Sequence, residues 1–163
     1  MFILDCDIAS IFAKIGRIDL LKETFPAGVY ITNSVYIELM RAKEMGFSFP
    51  DEIFDSITTI TLNDSELIDF QKYSLVKRIH SGEAEGISIC KNRNAVFLTN
   101  DSIVVKFCDA KGIKVLNLKD VLIFIAENRL IPKNEMVNVL RDIEDKDNTV
   151  IKGQEDILEE YDL

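Results

Sequence analysis

The acidic residues of this chain fall where an α/β protein does its chemistry. Asp5 directly follows the apolar run Phe2-Ile3-Leu4, and Asp101 closes the run Val96-Phe97-Leu98-Thr99-Asn100-Asp101. Glu38 lies about two turns into the helix expected after Val29-Tyr30-Ile31. Glu83 falls in the first turn of a helix opened by Ser81-Gly82. In an open α/β sheet, functional groups collect beyond the carboxyl ends of the strands, so four separate segments would bring four carboxylates together. Crowded carboxylates raise one another's pKa and cost stability. Such a cluster persists when a cation sits in it, and oxygen donors without His or Cys suit Mg²⁺ or Mn²⁺. Two such ions can activate a water and stabilise the leaving oxygen of a phosphodiester.

Each acid also has an ordinary structural reading. Asp101 suits a helix N-cap, Glu83 is a first-turn acid favoured by the helix dipole, and Glu38 could simply face solvent. Asp5 resists such a reading most, because burying a lone carboxylate is costly. It is the co-occurrence of the four that points to a metal site.

The elements that must position these acids alternate strand with helix. Short apolar or β-branched runs at Phe2–Leu4, Val29–Ile31, Ile57–Leu62, Ala95–Leu98 and Ile113–Leu116 read as strands. Helical spacing joins Ile8, Ile11, Phe12 and Ile15, then Leu20 and Leu21, with Gly16 marking a break. Thr32, Asn33 and Ser34 are N-cap candidates for the helix bearing Val35, Leu39 and Ala42. Gly46–Pro50 reads as a turn. Further helices are expected from Asn63-Asp64-Ser65 to about Arg78, from Ser81, from Ser102 to Lys111, over Leu118–Asn128 and over Lys133–Glu144, the last entered through Pro132. The final fifteen or so residues are polar and could be a helix, an arm or disordered. Strands separated by helices predict one α/β domain, a three-layer sandwich around a mostly parallel sheet of about five strands.

Composition narrows the function classes. The chain is 47% apolar and 29% charged over 163 residues, which fits a soluble domain with a real core. No apolar run approaches the roughly 20 residues of a membrane span. The N-terminus carries acid and lacks the basic start of a signal peptide, so a cytoplasmic location is expected. Cys6, Cys90 and Cys108 are far apart and form no C-x-x-C pair; they are expected to be small buried apolar residues rather than disulfides or zinc ligands. A net charge of −9 sits awkwardly with phosphate binding. Residues 141–163 carry −6 of it, and a filled metal cluster would not behave as acidic. Arg41, Lys43, Lys77, Arg78, Lys91, Arg93 and Lys106 are the bases that could touch phosphate; His80 could assist, although a surface histidine is the plainer reading.

These segments together resemble the PIN-domain ribonucleases. The likeness rests on Phe2-Ile3-Leu4-Asp5, Val35-Tyr36-Ile37-Glu38, Gly82-Glu83-Ala84-Glu85-Gly86-Ile87 and Leu98-Thr99-Asn100-Asp101, followed by a helix and Gly112-Ile113-Lys114-Val115. Ser81–Cys90 looks especially like an uncharacterised prokaryotic branch related to VapC toxins. The resemblance implies a parallel sheet in the order 3-2-1-4-5. It further implies Mg²⁺ or Mn²⁺ held by Asp5, Glu38, Glu83 and Asp101, and hydrolysis of single-stranded RNA by a metal-activated water. Residues 1–130 would form the catalytic domain and residues 131–163 a helical, acidic extension of it. Asp7 stands where relatives often have Ser or Thr and is a possible further ligand or a helix cap. Thr99 matches a small hydroxyl that can orient a carboxylate. Glu85 points about 200° around the helix from Glu83 and is the weaker ligand candidate. Ile103, Val104 and Val105 replace the further acid or Arg that many relatives carry, and Asp109 is expected on a solvated face. The nearly all-apolar Leu118–Ala126 fits a helix buried on two sides, by the domain's own tail or by a partner chain. The likeness also favours a homodimer, with this segment near its interface, and an antitoxin protein as a possible partner.

Two other readings remain. Leu4-Asp5-Cys6-Asp7 and Phe97-Leu98-Thr99-Asn100 look like motifs of haloacid-dehalogenase-type phosphatases, but the later Mg²⁺-binding acid pair is lacking, with Asp120 alone after Ile113–Leu116. The other is a PIN-fold interaction module whose metal site is weak or idle.

Overall fold

A computed structural model describes residues 1–163. Five short strands, β1 (Phe2–Leu4), β2 (Val29–Thr32), β3 (Thr58–Ile60), β4 (Val96–Leu98) and β5 (Val115–Leu116), form one sheet. Every pairing is parallel and the order is β3-β2-β1-β4-β5. The register sets Leu4 beside Ile31 and Leu98, so three strands end side by side. The residues after those ends therefore share one edge of the sheet.

Ten α-helices cover the two faces: α1 (Cys6–Lys14), α2 (Ile18–Thr24), α3 (Asn33–Glu44), α4 (Phe49–Ser56), α5 (Asp64–Tyr73), α6 (Ser81–Arg93), α7 (Ser102–Asp109), α8 (Leu118–Glu127), α9 (Lys133–Asp147) and α10 (Gln154–Glu159). A 3₁₀ turn follows at Glu160–Asp162. Pleating sends alternate strand residues to opposite layers. Leu4, Ile31 and Leu98 join a core with Ile8, Phe12, Val121, Ile125 and Ile143, while Ile3 and Phe97 join a second with Tyr73, Ile87 and Val104. A central strand buried on both faces must be apolar throughout, which is why β1 and β4 show no polar alternation. No helix is long and apolar enough to cross a membrane.

Some elements differ from the sequence expectation. The stretch read as a turn at Gly46–Pro50 leads straight into α4, with Pro50 in its first turn and Ile53 buried in the core. Proline is tolerated there because first-turn N–H groups have no helical partner. The third strand spans three residues rather than six. The helix expected to reach Arg78 stops at Tyr73, and a turn segment carries the chain to α6. The last residues are helical: α10 lies against α8 and buries Ile157. That contact and α2 cover most of the apolar surface of α8, leaving Phe124 41% exposed. Cys90 and Cys108 are buried free thiols, whereas Cys6 is only half-buried.

Candidate active site at the carboxyl edge of the sheet

Just past β1, the chain turns into α1 with Asp5 as its N-cap: the Asp5 Oδ1 accepts the Ile8 N–H at 2.7 Å. The Asp5 N–H in turn donates to the Leu98 carbonyl at 3.0 Å, which extends the β1–β4 ladder to its last residue. After β4, Asp101 caps α7, its Oδ1 accepting the N–H groups of Ile103 at 2.7 Å and Val104 at 3.1 Å. Thr99 is fully buried beneath this turn, and its Oγ1 accepts the Asp101 N–H at 3.2 Å. Asn100 ties the same turn to α8 by accepting the Leu118 N–H at 2.9 Å.

The other two acids come from helices packed together. Thr32 caps α3, and Glu38 follows with its side chain exposed. Glu83 closes the first turn of α6, its Oε2 accepting the His80 N–H at 2.7 Å. Glu85 points elsewhere: it is buried and accepts the Ser34 N–H at 2.7 Å, satisfying a donor in the first turn of α3. Gly82 keeps the two helices close, since a Cβ there would stand 3.2 Å from Val35 Cγ2 and 3.8 Å from Glu38 Oε2.

Asp5, Asp7, Glu38, Glu83 and Asp101 all line one cavity of about 540 Å³, together with Cys6, His80, Gly82, Asn100 and Ser102. No Lys or Arg lines it. His80 is exposed, as a surface histidine should be, and also lines the cavity, as do Asn100 and Ser102, which residue type alone does not mark as site residues. Their only sequence signal is adjacency to Glu83 and Asp101. Thr99 lies behind the wall rather than on it.

Burial pushes the Asp5 carboxyl up to about 7; the Thr99 hydroxyl and the Ile8 N–H pull it down, and the charges of Asp7 and Glu83 push further up. Glu83 is also raised, first by burial and then by the charges of Asp101 and Glu38, against the pull of the His80 N–H. Burial, aided by the Glu38 charge, pushes the Cys6 thiol up to about 12, so it stays protonated and unreactive.

The donor set suits a hard divalent cation in kind: carboxylate oxygens in excess, with no basic side chain to neutralise them. In spacing it is open. No three His, Cys, Asp or Glu side chains stand close enough to hold one ion. One oxygen each of Asp5, Glu83 and Asp101 already accepts a backbone N–H, which anchors these groups at the ends of their helices. Asp120, the acid available to a phosphatase reading, is spent in the same way, its Oδ2 accepting the Asn117 N–H at 2.9 Å. That leaves no second acid pair after β5.

A search of curated proteins and a search of solved structures each returned no match. The sequence model of one family, described as a PIN domain, matches residues 1–154, nearly the whole chain and well past the 130 residues on which the motif resemblance rests. With its five-stranded parallel sheet in the order β3-β2-β1-β4-β5, the chain belongs to the PIN-domain family, a nuclease fold.

Proposed function

We propose that this protein is an endoribonuclease that hydrolyses phosphodiesters of single-stranded RNA with the help of Mg²⁺ or Mn²⁺. The observation that carries the reading is the convergence of Asp5, Glu38, Glu83 and Asp101, from four separate segments, on one cavity with no basic lining. Asp5, Glu38, Glu83 and Asp101 would hold the cation, with Asp7 as an accessory donor. A bound cation would supply a water acidic enough to ionise near neutral pH and a positive charge for the leaving oxygen. Asp5 is rigidly set, packed between β4 and the first turn of α1, with the Thr99 hydroxyl beside it to orient its carboxyl group. Glu38, exposed on α3 and without a hydrogen-bond partner, is free to close on a ligand. The cytoplasm, a kinship with VapC-type toxins, a partner antitoxin and a homodimer using the exposed Phe124 side of α8 belong to the same proposal.

The test is incubation of the purified protein with labelled single-stranded RNA in Mn²⁺, Mg²⁺ or EDTA, beside Asp5→Asn and Asp101→Asn. Metal-dependent cleavage, lost in both variants, is expected. Cleavage that survives EDTA, or both substitutions, would overturn the assignment. A second reading, an interaction module with a weak or idle metal site, draws on the wide spacing of the acids. It predicts no cleavage, together with a metal-dependent rise in Tm.

A further inference from the structure

The proposed cavity has a charge problem that its own walls do not solve. Five carboxyl groups and one imidazole line it, and the chain as a whole carries −9. A bound cation would offset that charge where the scissile phosphate sits, but the flanking phosphates of a strand would still meet a net-acidic surface, which cationic groups at the mouth would relieve. Several bases that could serve are already committed. Lys43 pairs with Asp51, Lys91 holds Asp69 at 2.8 Å, and Arg93 holds Glu66 at 2.6 Å.

Lys77 and Arg78 are exposed and have no carboxylate partner. They form the tip of a four-residue turn, Val76–Ile79, closed by the Ile79 N–H to the Val76 carbonyl at 3.1 Å. Buried Ile79 fixes that turn to the core, and the next residue, His80, lines the cavity. Arg78 occupies the third turn position at φ 71°. Glycine or asparagine is favoured there, and a long side chain is strained by roughly 1 kcal/mol or more. Arg78 is thus an arginine in a conformation that favours glycine, two residues from the cavity wall, with no hydrogen-bond or ion-pair partner in the protein. Guanidinium suits phosphate, which it can grip with two parallel hydrogen bonds.

We infer that Arg78, supported by Lys77, binds a backbone phosphate of the RNA beside the scissile bond and so steers the strand across the acidic cavity. This inference rests on the ribonuclease reading above. It makes Arg78 a substrate-positioning residue outside the reacting atoms, and a determinant of which stretch of strand is presented for cleavage.

Arg78→Gly separates binding from folding, because glycine relieves the strained φ while removing the guanidinium. With single-stranded RNA and Mn²⁺, its KM should rise about ten-fold while kcat falls far less. The dependence of log KM on log salt concentration should become shallower by about 0.7, the loss of one phosphate contact on a single strand. Its Tm should not fall. Lys22→Ala removes a charge beside the starts of β2 and β3, at the opposite edge of the sheet, and should leave KM and the salt slope at the parent values. Parent-like KM and salt slope in Arg78→Gly, in a preparation whose parent cleaves RNA, would overturn the inference and leave the nuclease standing. So would an equal change in Lys22→Ala, or a loss of kcat matched by a loss of Tm. A parent protein that neither binds nor cleaves RNA removes the nuclease reading, and this inference with it.

Discussion

Gly86 lies against Phe97 so closely that a Cβ at that position would stand 2.5 Å from Cε2 of the ring. Gly86 is in the buried middle of α6 and Phe97 is the central residue of β4, so the contact sets how near the helix comes to the sheet. Glu83 is one turn back along that helix, and Asp101 lies just beyond the end of that strand. One missing methyl group thus controls the separation of two of the acids.

Gly86→Ala should therefore destabilise the protein. In an open helix the change would be worth about 1 kcal/mol in favour of alanine. Here the ring and the helix backbone are both held on all sides, and overpacking typically costs about 1–3 kcal/mol. A fall in Tm of several degrees by calorimetry is expected. A Tm equal to or above that of the parent would show that α6 can back away from the sheet at little cost.

A second expectation concerns pH. The carboxyl of Asp5 rises from its ordinary 3.8 to about 7 on folding, mainly because it is buried. Well below pH 3.8 the group is protonated in both folded and unfolded chains and makes no difference. Between pH 4 and 7 the unfolded chain gives up this proton while the folded one keeps it, so stability falls as pH rises. Above pH 7 the full penalty is present, at most about 4 kcal/mol at 1.36 kcal/mol per pH unit. In EDTA at pH 8, Asp5→Asn should melt several degrees above the parent, and the gap should largely close near pH 4. Mn²⁺ at pH 8 should raise the Tm of the parent but not that of the variant. A gap of the same size at both pH values would remove the electrostatic explanation.

Much of this arrangement could be read from the sequence because strand ends leave a strong trace. Phe2-Ile3-Leu4 and Val96-Phe97-Leu98 are continuous apolar runs, as strands buried on both faces require, and each is followed within three residues by an acid. The rotation of Glu85 away from Glu83 follows from helical periodicity alone. Its partner does not: the Ser34 N–H comes within reach where α6 packs on α3, an approach that Gly82 eases. Helix α4 escaped because eight residues entered through Pro50 give too short a period, and Gly46 with Pro50 imitates a turn. The spacing of the acids is equally invisible. Asp101 reads from the sequence as a cation ligand or a helix cap, whereas Asp5 resists a structural role there; only the fold reveals that Asp5 caps a helix too, one oxygen of each accepting backbone N–H groups.

The fate of the basic residues depends on tertiary partners in the same way, and Arg93 is the clearest case. Its Nε and Nη2 donate to the two oxygens of buried Glu66 at 2.6 and 2.8 Å, and Nη2 also donates to the Thr61 carbonyl at 2.9 Å. Glu66 additionally accepts the Asn63 N–H at 2.8 Å, so both its oxygens are used where α5 packs on α6. The Arg93 guanidinium holds the Glu66 carboxyl below its ordinary value, against the effect of burial. Arg93→Ala would strip that carboxylate of its charge partner and leave it the Asn63 N–H alone, at a cost of about 1–3 kcal/mol, read as a fall in Tm. Because the carboxyl is depressed on folding, its contribution is fully present above the ordinary 4.5 and is lost as pH falls through the lower folded value. The Tm gap between parent and Arg93→Ala should therefore be widest near neutral pH and narrow in acid. The KM for RNA should stay within about two-fold of the parent, in contrast to Arg78→Gly, because this guanidinium is consumed inside the protein. A variant with parental Tm and a raised KM would mean that Arg93 leaves Glu66 to bind the strand, and the division between structural and RNA-facing bases would have to be redrawn.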